Sequence, residues 1–83
     1  MTQWMDPVEA DYLALEKIQH GEEAGLRELM GRHREALFRF IFRYVRNEAD
    51  AAELTEATFL RVYQNAGRFK PKAKVVTWIF SIA

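Results

Sequence analysis

Apolar positions recur along this 83-residue chain at helical spacing almost throughout, and no stretch shows the strict alternation of a strand. Val8, Tyr12, Leu15 and Ile18 are spaced four, three and three, a stripe on one side of a first helix predicted from Pro7 to His20. Asp6-Pro7 supplies its N-cap and first helical position, and Gly21 follows its end as a C′ glycine. A second helix is predicted from Glu22 to Arg46. Leu26, Leu29, Met30, His33, Leu37, Phe40, Ile41 and Tyr44 form one stripe along it, and Phe38, Phe42 and Val45 add another. A helix apolar on two sides belongs at the centre of a bundle.

Asn47, with Asp50 three residues on, resembles a capping box for a third helix predicted from Glu48 to Ala66 and stopped by Gly67. At about 100° per residue, Ala51, Ala52, Phe59, Val62, Tyr63 and Ala66 fall on its core side. Glu53, Glu56 and Gln64 fall on the other, with Leu60 among them. Pro71 keeps the following loop out of helix, and a last helix is predicted from about Ala73. No glycine cap or polar tail follows Ala83, so the chain reads as cut within that helix. The expected fold class is all-α, a compact three- to four-helix bundle in one domain over residues 1–83.

Composition narrows the possibilities. Hydrophobic residues make up 49% of the chain, enough for a packed core and too many for disorder. The absence of cysteine excludes disulfides and thiolate metal sites. The longest apolar run is far too short to cross a bilayer. The N-terminus lacks the basic-then-apolar layout of a signal peptide, so a cytoplasmic location is expected.

The zero net charge conceals blocks. Residues 1–30 carry seven acids and two bases, residues 31–46 five bases and one acid, residues 47–67 four acids and one base, and residues 68–83 four bases. Such segregation means either distinct partners for distinct faces or pairing between the blocks.

Catalytic chemistry finds little support. His20 and His33 are thirteen residues apart, with no HExxH context, and no nucleophile–base pair stands out. Neither enzymatic activity nor a metal or other cofactor is expected. Arg32, Arg34, Arg39, Arg43 and Arg46 suit a solvated helix that pairs with the acidic first helix; a duplex DNA contact is the weaker reading. Arg68, Lys70, Lys72 and Lys74 alternate through a loop around Phe69 and Pro71. That layout suits phosphates with a base stacked on Phe69, and equally a phenylalanine plug with solubilising lysines. Trp78 has the spacing of a core residue and the chemistry of a partly exposed stacking one.

The segment Asp50-Ala51-Ala52-Glu53-Leu54-Thr55-Glu56-Ala57-Thr58-Phe59-Leu60-Arg61-Val62-Tyr63 resembles the A-E-D-L-x-Q-E-x-F-L-x-V-W helix of bacterial sigma factors. Phe69 followed by Thr77-Trp78-Ile79-Phe80-Ser81-Ile82-Ala83 is similar to the F…T-W-L-x-x-I-A-x-N stretch after it. Gly21-Glu22-Glu23-Ala24-Gly25-Leu26-Arg27-Glu28-Leu29 looks like the opening of the extracytoplasmic-function group. The resemblance runs from about Asp6 to Ala83. It implies sigma region two, which docks on core RNA polymerase and opens the promoter −10 element.

By that resemblance, Asp50, Glu53, Leu54, Glu56, Ala57 and Leu60 would meet the basic clamp helices of the β′ subunit. Arg68, Phe69, Lys70, Lys72, Lys74, Thr77 and Trp78 would hold the non-template single strand. An anti-sigma factor is a further partner the family admits. The alternative is a sigma-like helical module that binds polymerase or a regulator without reading DNA.

Departures from the pattern matter. Ala52, Glu53, Glu56 and Ala57 stand where the family usually has Glu, Asp, Gln and Glu, so this face carries fewer acids. Gly25 replaces the usual alanine and Gly31 adds a second glycine, each expected to cost the second helix up to about 1 kcal/mol relative to alanine. The −35-reading domain is missing from the chain, so on its own it is not expected to serve as a complete sigma factor.

Overall fold

The computed structural model describes residues 6–68 and 74–82. They form four helices, α1 (Pro7–Gln19), α2 (Ala24–Val45), α3 (Glu48–Asn65) and α4 (Val75–Ile82), with a 3-10 turn at Ala66–Arg68 after α3. The all-α expectation holds. α2 packs against both α1 and α3, as its two apolar sides require, and α4 closes the bundle against α1 and α3.

Local chemistry sets the helix ends. Asp6 caps α1 through its carboxylate, which accepts the Val8 N–H at 2.8 Å. At the other end the Gly21 N–H donates to the Ile18 carbonyl at 2.9 Å and the Glu22 N–H to that of Lys17 at 2.8 Å. With Gly21 at φ +83°, this is a full Schellman closure. It consumes Glu22, so α2 begins two residues later than the sequence predicts. His20 lies with Nδ1 2.8 Å from the Glu16 carbonyl, and that nitrogen therefore donates. Asn47 caps α3 by accepting the Asp50 N–H at 2.9 Å.

The C-terminal ends of α2 and α3 also differ from expectation. α2 stops at Val45 because Arg46 takes the left-handed conformation (φ +53°) while its N–H still reaches the Phe42 carbonyl at 2.9 Å. Gly67 is not a left-handed stop; the chain tightens into the 3-10 turn through Arg68. The Ala66 carbonyl is taken by the Gln19 amide at 2.8 Å, which staples α1 to the end of α3. The predicted start of the last helix at Ala73 lies outside the described residues; the Trp78 N–H bonds the Lys74 carbonyl at 3.1 Å, which opens the helix there.

The core is built from Ala14, Leu15 and Ile18 of α1, Leu29, Leu37 and Ile41 of α2, Ala51, Phe59 and Val62 of α3, Ala66, and Val75 and Ile79 of α4. Thr55 and Thr58 are also buried, although the sequence reading left them off the core side. Each hydroxyl bonds the carbonyl one turn back, Thr55 to Ala51 at 2.7 Å and Thr58 to Leu54 at 2.8 Å. A satisfied threonine buries at little cost. This rotates the buried arc of α3 away from Ala52, which is exposed, and leaves Tyr63 at the boundary.

Gly25 is buried where α2 crosses α1. A Cβ there would collide with the Ala14 carbonyl oxygen and come within 2.9 Å of Lys17 Cβ. What reads in sequence as a helix-weakening glycine is therefore what lets the two backbones meet.

Candidate functional site

The described part of α3 presents a solvent face centred on Glu53. At about 100° per residue, Ala57, Leu60 and Gln64 flank it closely, with Asp50 and Leu54 on one margin and Glu56 on the other. Asp50, Glu53, Leu54, Glu56 and Leu60 are all exposed, and Ala57 is half-buried. Leu54 and Leu60, 44% and 54% exposed, place apolar surface among these carboxylates. All six residues that the resemblance assigned to polymerase thus fall on one continuous strip.

Each margin of the strip is bounded by a groove. On the Leu54 side, Phe40, Tyr44, Leu54, Ala57, Arg61 and Phe80 line a depression between α2, α3 and α4. Within it Phe40 has Phe80 at 5.1 Å and Tyr44 edge-on at 5.5 Å between ring centroids. Tyr44 does not belong to the core stripe to which its spacing assigns it; it is 75% exposed. It stands in the last turn of α2, and among the described residues only the edge of Phe40 is recorded against its ring. On the Glu56 side, Met30, Phe38, Ala52 and Thr55 line a second groove, with Arg34, Glu35 and Glu56 at its rim.

The charge blocks do pair within the chain. Buried Asp11 of α1 receives Arg32 Nε at 2.7 Å on one oxygen and His33 Nε2 at 2.9 Å on the other, while an Arg32 terminal nitrogen donates to the Pro7 carbonyl at 3.0 Å. His33 is thus tied to a carboxylate, and Asp11 is a buried acid that the sequence reading missed. Its signal was available: Asp11 follows Val8 by three residues and so lies beside the apolar stripe. Arg34 reaches Glu56 at 3.0 Å, and Arg39 pairs with Glu35 in its own helix at 3.1 Å. Arg32, Arg34 and Arg39 of this basic block are thus paired within the chain, while Arg43 is exposed. Lys17 is held above its ordinary pKa chiefly by its hydrogen bond to Glu28, far from the α3 strip.

The residues proposed for DNA are only partly placed. Arg68 ends the 3-10 turn and is exposed, as are Lys74 and Thr77 at the start of α4. Trp78, one turn beyond Lys74, is half-buried against the core. Phe69, Lys70 and Lys72 lie outside the described residues. Among the described residues no group of histidine, cysteine or carboxylate side chains could hold a metal, and no helix is long and apolar enough to cross a membrane.

The sequence model of the Sigma-70 region 2 family matches residues 29–83, and the chain belongs to that family. It is 35% identical over 69 residues to RNA polymerase sigma factor CarQ of Myxococcus xanthus, covering 83% of this chain and 40% of that protein. It is 24% identical over 75 residues to the RNA polymerase sigma-H factor of Pseudomonas aeruginosa, covering 90% of this chain and 39% of that one. The chain therefore spans about two fifths of the length of these relatives. No solved structure matches it significantly.

Proposed function

We propose that this domain acts as region two of an extracytoplasmic-function sigma factor. It docks on core RNA polymerase through the exposed strip of α3 and presents α4 and the segment before it to the −10 element. The observation that carries the reading is Glu53, an exposed carboxylate flanked by Leu54 and Leu60 and without an ion-pair partner among the described residues. A basic helix such as those of the β′ clamp meets the charge, and the leucines exclude water around it. Asp50, Glu56 and Ala57 extend the same contact.

Arg68, Phe69, Lys70, Lys72, Lys74, Thr77 and Trp78 would then track the displaced non-template strand, lysines on phosphates and aromatics on unstacked bases. Strand separation would be driven by binding and stacking energy, with no chemical step supplied by this domain. A protein acting on polymerase in this way would work in the cytoplasm, and an anti-sigma factor that covered the α3 strip would compete with the core enzyme.

The test is fluorescence anisotropy of the labelled chain with bacterial core RNA polymerase. The wild-type chain should bind saturably, and Glu53→Lys or Leu60→Asp should weaken binding at least about tenfold. A folded wild-type chain that does not bind would sink the reading.

A further inference from the structure

Of the three acids on the α3 strip, Glu56 alone is already engaged within the described chain. Arg34 Nη2 lies 3.0 Å from one of its carboxylate oxygens and 3.3 Å from the other, spanning the groove between α2 and α3. No described group pairs with the carboxylate of Asp50 or Glu53. We propose that Arg34 is a built-in competitor for the docking strip. A cation on the partner reaches Glu53 directly, but meets Glu56 in competition with Arg34. The inference rests on the docking reading above and adds a residue that sets how demanding the strip is of its partner.

The geometry fits a contact that is formed and exchanged rather than fixed. Arg34 uses a single nitrogen, not the two-nitrogen fork that makes arginine–carboxylate pairs strong and specific. Both side chains are about half exposed, 52% for Arg34 and 55% for Glu56, so water is at hand to replace either partner. By contrast, Asp11 is buried, and both of its oxygens are held.

While the pair is closed, Arg34 cancels one of the three negative charges on the strip. A partner with one well-placed cation then sees only the Glu53 end. A partner with two, spaced to meet Glu53 and Glu56 one turn apart, recovers the energy of the displaced pair. Arg34 thus raises the requirement for a second cation and biases the strip against weakly basic surfaces.

The test uses the same anisotropy titration with core RNA polymerase. Arg34→Gln should tighten binding about twofold to fivefold, the range an exposed pair supports, and should steepen its salt dependence. Arg34→Met, which keeps the aliphatic stem over the groove, should give the same gain. Neither change should alter affinity in a Glu56→Gln background. Unchanged or weaker binding by a folded Arg34→Gln chain would overturn the competitor role; a loss that depends on Glu56 would make Arg34 a residue that positions it. Glu53→Lys separates the two levels. If it abolishes binding while Arg34→Gln has no effect, docking stands and the competitor fails. If Glu53→Lys binds like wild type, or wild type does not bind, both fall.

Discussion

Gly25 of α2 lies so close to the carbonyl of Ala14 in α1 that no side-chain carbon fits between them. The contact fixes how α1 lies on α2, and α1 in turn holds the end of α3 through Gln19 and Ala66. Gly31, six residues further along the same helix, faces open space. The two glycines therefore respond oppositely to the same substitution. Gly25→Ala should destabilise the domain by about 1–3 kcal/mol, the range for overpacking. Gly31→Ala should stabilise it by up to about 1 kcal/mol through helix propensity. Thermal unfolding reads both, with shifts of about 4–8 °C per kcal/mol in a domain of this size. Equal effects of one sign would contradict the packing described.

Asp11 joins α1 to α2 by charge rather than by shape. Replacing it with alanine strands the Arg32 and His33 nitrogens and should cost about 2–3 kcal/mol. Urea unfolding at neutral pH would register the loss. In a double-mutant cycle, Arg32→Ala should cost markedly less once Asp11 is gone. Additive losses would show that the two side chains do not act together.

Tyr44 separates surface from core. Tyr44→Ser should change stability by no more than about 0.5 kcal/mol, as expected of an exposed position, whereas Phe59→Ala should cost about 3–5 kcal/mol. If Tyr44 belongs to the docking surface beside Leu54, the same serine variant should weaken binding to core polymerase while its melting temperature stays put. A large drop in stability would restore Tyr44 to the core stripe.

Those positions show what the sequence made legible. Helix number, caps and the central place of α2 followed from spacing and from Asp6, Gly21 and Asn47, because these act over a turn or two of chain. The outward face of α3 was also visible, since its acids and leucines need no tertiary context to be sorted. Tyr44 was misplaced because periodicity continues to a helix end even where the side chain is exposed. Thr55 and Thr58 were missed because their burial depends on hydroxyls turning back onto their own helix. Gly25 read as a propensity cost, and only the approach of α1 reveals its use. Arg34–Glu56 and Asp11–Arg32 are pairings across 22 and 21 residues, which charge blocks suggest but cannot register.

Among the described residues, exposed Lys74 gives the most direct test of the proposed DNA contact. Lys74→Glu should lower affinity of the polymerase-bound domain for single-stranded −10 DNA, and the salt dependence of binding should become shallower by about one counterion. Binding to core polymerase itself should not change. If DNA affinity is untouched by Lys74→Glu combined with reversals at Lys70 and Lys72, the protein-interaction reading without DNA contact gains the ground.

Docking through α3 is tested most directly by calorimetric titration of the chain with an isolated β′ clamp-helix fragment, repeated with Glu53→Lys. One-to-one saturable binding that the charge reversal abolishes, with unfolding midpoints matched, is the expected result. A folded wild-type chain that releases no heat and shows no saturation, or a Glu53→Lys chain that binds equally well, would contradict it.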